Sequence, residues 1–294
     1  MNSSHNSIQR SNGDSDHRAA GARYVRVLSI AGSDSGGGAG VQADLKTFAA
    51  LGCYGMTAIT ALTAQNTRGV SGIHSVPPAF LKAQLQAVLD DIGADAVKIG
   101  MLHAPEVVEV VAWAIDHYRP ANVVLDPVMV ASSGDRLMAN ETVAVLVKEL
   151  FPRATVITPN LDEAALLLGR GIDGVAALDD AAQALLALGA PAVLLKGGHL
   201  TGDDVVDVLL QADGASLHLK TSRIATPNGH GTGCTLSSAI ACYLAQGLAL
   251  PQAVQQARGY ILQAIAAGAH VRTGQGQGPL NHGFAPVAMH ILPD

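Results

Sequence analysis

The chain has 294 residues, close to half of them apolar and dominated by Ala, Val and Leu, with a formal net charge of −6. That length buries a sizeable core in one large α/β unit or two small ones, and the acidic balance argues against a nucleic-acid backbone as partner. No apolar run reaches the roughly 20 residues that a membrane span needs, and three cysteines (Cys53, Cys234, Cys242) form no disulfide framework, which points to a reducing, cytoplasmic setting.

Residues 1–22 are rich in Ser, Asn and charge. They lack the apolar core of a secretory signal and carry Asp14 and Asp16, acids that transit peptides avoid. We expect a disordered tail there and a single domain over 23–294. Structure begins with a β-branched strand at 24–30, followed by the glycine-rich stretch from Gly32 to Gly40. A helix then places Val41, Leu45, Phe48 and Leu51 on one face and stops at Gly52. The glycine spacing matches neither dinucleotide nor P-loop fingerprints. Strands follow at 54–62, 94–99, 122–125, 155–158 and 192–196. Helices at 79–92, from Pro105, and at 141–150, 161–168 and 176–188 alternate with them. This alternation predicts a mainly parallel sheet covered on both faces. The runs 205–210 and 216–220, separated by Ala212-Asp213-Gly214, read as a hairpin and so as an antiparallel edge.

At 228–240 three glycines (Gly229, Gly231, Gly233) crowd a turn that opens a helix. Unpaired N–H groups and the positive dipole end would make Gly231, Thr232 and Gly233 an anion site suited to phosphate. Cys234 falls in the first turn, where a thiolate is favoured. The plainer alternative is a loop capping a core helix, with Cys234 as a small buried hydrophobe. Pro251 then starts the last long helix, with Val254, Ile261 and Ile265 inside, and 274–278 is a glycine-rich loop.

Ligands of open parallel sheets bind beyond the carboxyl ends of the strands. Asp44, Gln65, Asp126, Asn160, Glu163 and Lys196 stand at such ends or on the helix that follows. Oxygen donors of this kind suit Mg²⁺ shared with substrate phosphates. Each also has a structural reading: Asn160 and Glu163 fit a capping box, Asp126 before Pro127 fits a turn, and Lys196 fits an exposed strand end. The histidines show no zinc spacing, and no Gly-x-Ser-x-Gly elbow is present. Taken together, an anion hole, an isolated strand-end Asp, an Asn/Glu pair and a strand-end Lys describe phosphoryl transfer from a nucleotide.

The segments AGSDSGGGAGVQADLKTF (31–48), ITALTAQNTRGV (59–70), VKIGML (97–102), VVLDPVM (123–129), ITPNLDEA (157–164), LLKGGH (194–199) and GHGTGCTLSSAIA (229–241) carry a family pattern. In it the chain resembles the hydroxymethylpyrimidine/phosphomethylpyrimidine kinases of the ribokinase superfamily. The Gly-Thr-Gly-Cys form marks the pyrimidine branch, since most superfamily members carry Asp in place of Cys234. The resemblance implies a three-layer α/β/α fold, a homodimer, ATP and Mg²⁺, and a small-molecule pyrimidine substrate, with neither nucleic acid nor membrane as partner. It implies that Gly231, Thr232 and Gly233 surround the transferred phosphoryl group and that Cys234 stands in for the catalytic Asp. By the same resemblance Asp126 and Glu163 serve the metal–phosphate network, with Asn160 nearby and Lys196 on the nucleotide side. Gln65 would read the pyrimidine, and Ala39, Met101 and Val128 would line its pocket. An amide suits that task, offering a donor and an acceptor to an exocyclic amine beside a ring nitrogen. The sequence departs from the family at Gly229, where threonine is common, and at Ser35-Gly36, where Pro-Ser is frequent. A pyridoxine/pyridoxal kinase is the nearest rival reading, a non-catalytic pyrimidine-binding protein a rival of another class, and a nicotinamide-dependent oxidoreductase lacks its fingerprint.

Overall fold

Every residue of Ala96–Ile99 is buried, a pattern that only a strand covered on both faces allows. In the computed structural model, which describes residues 21–130 and 138–293, this strand lies inside an eight-stranded sheet. The chain enters through β1 (Ala22–Tyr24) and β2 (Arg26–Ala31), passes α1 (Gly40–Ala50), and continues into β3 (Tyr54–Ile59). A hairpin of β4 (Ala61–Asn66) and β5 (Gly69–Ser75) precedes α2 (Pro78–Leu89), β6 (Ala96–Ile99), α3 (Pro105–Tyr118) and β7 (Val123–Leu125). Next come α4 (Asn140–Leu150), β8 (Val156–Ile157), α5 (Leu161–Leu168), α6 (Leu178–Leu186) and β9 (Ala192–Leu195). The chain closes with β10 (Asp204–Gln211), β11 (Ser216–Ser222), α7 (Thr232–Ala245), α8 (Leu250–Gly268) and β12 (Ile291–Pro293).

The sheet order is β11-β10-β9-β8-β7-β6-β2-β3. From β3 to β9 neighbours run parallel, while β10 and β11 form the expected antiparallel edge. Alternation along each strand sorts the core into two layers. Leu28, Val97, Ile99, Leu125 and Leu195 pack with Leu81, Val111, Leu146 and Leu185 of α2, α3, α4 and α6. Val27, Ala96, Val124 and Leu194 face Phe48, Ile240 and Val254 of α1, α7 and α8. This is the ribokinase-like three-layer arrangement.

Several expectations need correction. The strand expected over 54–62 breaks at Thr60, because the chain leaves the sheet there to form the β4–β5 hairpin. The hairpin tip is held by the 274–278 loop, whose Gln275 and Gly276 amides donate to Thr67 Oγ1 at 3.2 and 3.1 Å. On α1 the buried position is Asp44 rather than Leu45, which is 37% exposed. Asp44 turns inward to meet a buried lysine. At the amino end β1 begins at Ala22 and pairs antiparallel with β12, so residues 21 and 22 of the expected tail take part in described structure. The rest of that tail, 1–20, lies outside the described residues. No helix among the described residues is long and apolar enough to cross a membrane.

Candidate active site

The turn before α7 depends on a residue without a side chain. Gly231 caps the helix at φ +83°, and a Cβ there would lie 1.9 Å from the Gly38 carbonyl oxygen. Its neighbours Thr232, Gly233 and Cys234 occupy the first turn, where N–H groups have no intrahelical acceptor. The turn faces a charged pair. A Cβ on Gly233 would stand 3.2 Å from Lys196 Nζ and 3.5 Å from Asp126 Oδ2.

Asp126 is 2% exposed at the end of β7. Its Oδ1 accepts from Lys196 Nζ at 2.9 Å and from the Thr158 hydroxyl at 2.8 Å. Burial would raise its pKa, but Lys196 and Lys98 together with these bonds hold it below the usual carboxylate range. Asp126 is therefore not merely a turn residue, and Lys196 is not an exposed strand end. Asn160 and Glu163 do form the capping box: Glu163 N–H donates to Asn160 Oδ1 at 2.9 Å, and Asn160 N–H to Glu163 Oε2 at 2.8 Å. Burial pushes the Glu163 carboxyl up to about 7, against Lys196 and with the help of Asp126. Capping and cavity positions coincide in these two residues. No cluster of three or more His, Cys, Asp or Glu able to hold a metal occurs among the described residues. Asp126 Oδ2 takes part in neither bond described above, so it suits a Mg²⁺ that draws most of its ligands from water and phosphate oxygens.

The surroundings of Cys234 oppose a thiolate. Burial pushes its thiol up to about 11; Lys98 opposes this, while Asp44 and Asp126 add to it. Desolvation and two nearby carboxylates outweigh Lys98 and the Gly40 backbone hydrogen bond to the thiol. Beneath it lies a charge pair with both side chains at 0% exposure, in which Lys98 Nζ reaches Asp44 Oδ1 and Oδ2 at 2.9 Å each. Ser29 of β2 and Ser238 of α7 donate to the same carboxylate at 2.6 and 2.7 Å. Asp44, expected at the strand ends, thus sits below the site and ties α1, β2, β6 and α7 together.

All twelve residues assigned a role in the sequence line one cavity of about 610 Å³. Ala39, Gln65, Met101 and Val128 line it together with Asp126, Asn160, Glu163, Lys196 and the Gly231–Cys234 turn, and Lys196 and Asp126 stand against Gly233. Gln65 is anchored by its backbone: Ser35 Oγ bonds its N–H and carbonyl at 2.8 Å each, while the Thr63 hydroxyl, bonded to the Ser33 carbonyl at 2.8 Å, lies 3.2 Å from its Oε1. Thr221 and Arg223 at the hairpin edge and Ile261 and Ile265 of α8 also line the cavity. The sequence reading missed Asp34, Lys98, Thr158 and His230, all close to this cavity. Only Asp34 carried a usable signal: an Asp inside Gly-Ser-Asp-Ser-Gly is positioned to accept from backbone amides two or more residues on.

The chain is similar to proteins of known family. The family model described as phosphomethylpyrimidine kinase matches residues 34–281. The hydroxymethylpyrimidine/phosphomethylpyrimidine kinase of Rhizobium meliloti is 51% identical over 257 residues, covering 87% of this chain and 96% of that protein. The thiamine biosynthesis bifunctional protein of Geobacter sulfurreducens is 53% identical over 87% of this chain, which spans about half (52%) of that protein's length. Among solved structures, an ADP complex of Bacillus subtilis pyridoxal kinase matches with a TM-score of 0.82 at 38% identity, covering 88% of this chain and 98% of that one.

Proposed function

The chain belongs to the phosphomethylpyrimidine kinase family, and from that premise we propose that it uses ATP to phosphorylate the hydroxymethyl group of 4-amino-5-hydroxymethyl-2-methylpyrimidine and then converts the monophosphate to the diphosphate, in thiamine biosynthesis. One observation carries the reading: Gln65 and the Gly231–Cys234 turn share a single cavity with the Asp126–Lys196 pair. A pocket that only bound a pyrimidine would not need an anion site with a charged pair beside it.

In this reading Gln65, its backbone held by Ser35, offers its side-chain amide to the pyrimidine. Ala39, Met101 and Val128 hold the ring. The amides of Gly231, Thr232 and Gly233 receive the negative charge of the transferring phosphoryl group, a stabilisation that needs no rearrangement at the moment of reaction. Lys196 lies on the nucleotide side and exchanges Asp126 for phosphate oxygens. A bound Mg²⁺ would neutralise phosphate charge beside Asp126 and Glu163, with Asn160 holding Glu163 in place. Cys234, a neutral thiol, contributes as a wall beside the acceptor rather than as a standing base. The free cysteines and the family resemblance extend the proposal to a homodimer working in the cytoplasm, which light scattering and fractionation would check.

The test is to incubate the purified protein with Mg-ATP and a panel of hydroxymethyl heterocycles that includes pyridoxal, resolving mono- from diphosphate products. We expect both pyrimidine phosphates to form, with pyridoxal a poorer acceptor. Preferential turnover of pyridoxal would shift the assignment to that vitamin, and no turnover of any acceptor would overturn the kinase reading.

A further inference from the structure

Two glycine-rich stretches nearly two hundred residues apart meet at Asp34. This side chain is 1% exposed and accepts four hydrogen bonds. Gly36 N–H donates to Oδ1 at 2.8 Å, while Gly38 N–H (3.0 Å), Ala39 N–H (2.8 Å) and His230 Nε2 (2.8 Å) converge on Oδ2. The first three shape the loop that carries Ala39. The fourth crosses to the turn before α7.

The two loops are in backbone contact at the same place. A Cβ on Gly38 would lie 2.5 Å from His230 Cδ2, and one on Gly231 would lie 1.9 Å from the Gly38 carbonyl oxygen. His230 also donates its backbone N–H to Gly278 at 3.1 Å, so its main chain is fixed separately from its ring. Three of the four donors crowd Oδ2, so the oxygen that His230 meets is fully occupied within the protein. The imidazole is likewise turned to Asp34, and its chemistry is spent on holding.

We propose that the Asp34–His230 hydrogen bond is a positioning device: it locks the acceptor-side loop against the phosphate-binding turn and so sets how the acceptor hydroxyl meets the phosphoryl group. This rests on the kinase reading above. It makes His230, which lines the cavity, a positioning residue that acts through Asp34. Acceptor and anion sites would each persist without the bond, but their separation would no longer be fixed. Misplacement by about 1 Å is enough to cost roughly 10²-fold in rate.

The experiment compares His230→Gln, whose amide N–H can reach the Asp34 carboxylate, with His230→Asn, which is one methylene too short. Should the Asn variant not fold, His230→Ser serves as the short variant. Turnover, KM for ATP, calorimetric affinity for the hydroxymethylpyrimidine, and ATP hydrolysed per pyrimidine phosphorylated are measured for each and for the wild type. We expect the short variant to lose about 10- to 100-fold in kcat with pyrimidine affinity and KM for ATP within about threefold, and to waste more ATP on water. The Gln variant should recover to within about fivefold of wild type. Equal kcat in the short variant and wild type would overturn the proposal, as would equal impairment of the Gln and short variants or a loss confined to affinity. A wild type that phosphorylates no pyrimidine would instead overturn the kinase reading, and this role with it.

Discussion

Lys196 Nζ sits 2.9 Å from Asp126 Oδ1, the same oxygen that receives the Thr158 hydroxyl, which leaves Asp126 Oδ2 turned towards Gly233 at the start of α7. The ammonium thus reaches the anion turn as half of a neutral pair. An incoming phosphate must compete with Asp126 for it, so the lysine's charge is released only where negative charge arrives.

Asp126→Asn should fold, because its Oδ1 can still accept from Thr158. It should lose about 10²–10³-fold in kcat, the range for removing one preorganised electrostatic contact, with pyrimidine affinity nearly unchanged. Steady-state kinetics at saturating Mg-ATP, run beside calorimetry, checks this. Turnover equal to wild type would remove Asp126 from the mechanism.

Glu163 should give stability a pH dependence near neutrality. Its carboxyl is raised from the ordinary 4.5 to about 7 in the folded chain, chiefly by burial. The native state therefore holds a proton that the unfolded chain has lost between those values. This contribution is fully present below 4.5 and disappears as pH rises through about 7. Glu163→Gln keeps an oxygen for the Asn160 N–H bond and cannot ionise. Melting temperatures followed from pH 4.5 to 8 should decline more in wild type than in the variant, and parallel curves would contradict the shift.

Cys234 should react slowly with alkylating reagents. With its thiol pushed up to about 11, about one molecule in 10⁴ is thiolate at pH 7. The iodoacetamide rate at this residue, followed by peptide mass analysis, should climb steadily with pH to beyond 9. Cys234→Ala should cost less than the about 10²–10⁴-fold that loss of a general base brings. A reactivity inflection near pH 7 would restore the thiolate.

Gln65→Leu should act on recognition rather than on turnover. The substitution leaves the pyrimidine's polar edge without a partner, at about 1–3 kcal/mol for each unsatisfied group, while the Thr63 hydroxyl keeps the Ser33 carbonyl at 2.8 Å. Calorimetry with the unphosphorylated pyrimidine measures the loss. Unchanged affinity would show that Gln65 does not face the ring.

The parallel strands and the glycine turn that opens α7 were readable in the sequence because short apolar runs and clustered glycines are local signals. The β4–β5 hairpin was not. Gly69-Val-Ser-Gly-Ile-His-Ser75 has two glycines and two serines in seven positions, so neither alternation nor β-propensity marks it as a strand. It is paired through tertiary contact at Ser35 and Thr67 instead. The groups that oppose a Cys234 thiolate were hidden for a related reason. Its place at a helix start is visible in one dimension, whereas the opposing carboxylates, Asp44 and Asp126, arrive from α1 and from the end of β7. Position 44 misled equally: helical periodicity favoured Leu45 for the core, and only the fold reveals a lysine waiting there for Asp44.

That buried lysine has a consequence for how the sequence can drift. Removing either partner of the Lys98–Asp44 pair strands an uncompensated charge in the interior, at about 3–5 kcal/mol, whereas exchanging both for apolar residues can be close to neutral for stability. Ser29 and Ser238 would then need new acceptors as well. The two positions can therefore change only together, as a linked unit across an adaptive valley that single substitutions do not cross. A library randomised at 44 and 98 and selected for folded protein should recover joint replacements while excluding nearly every lone one.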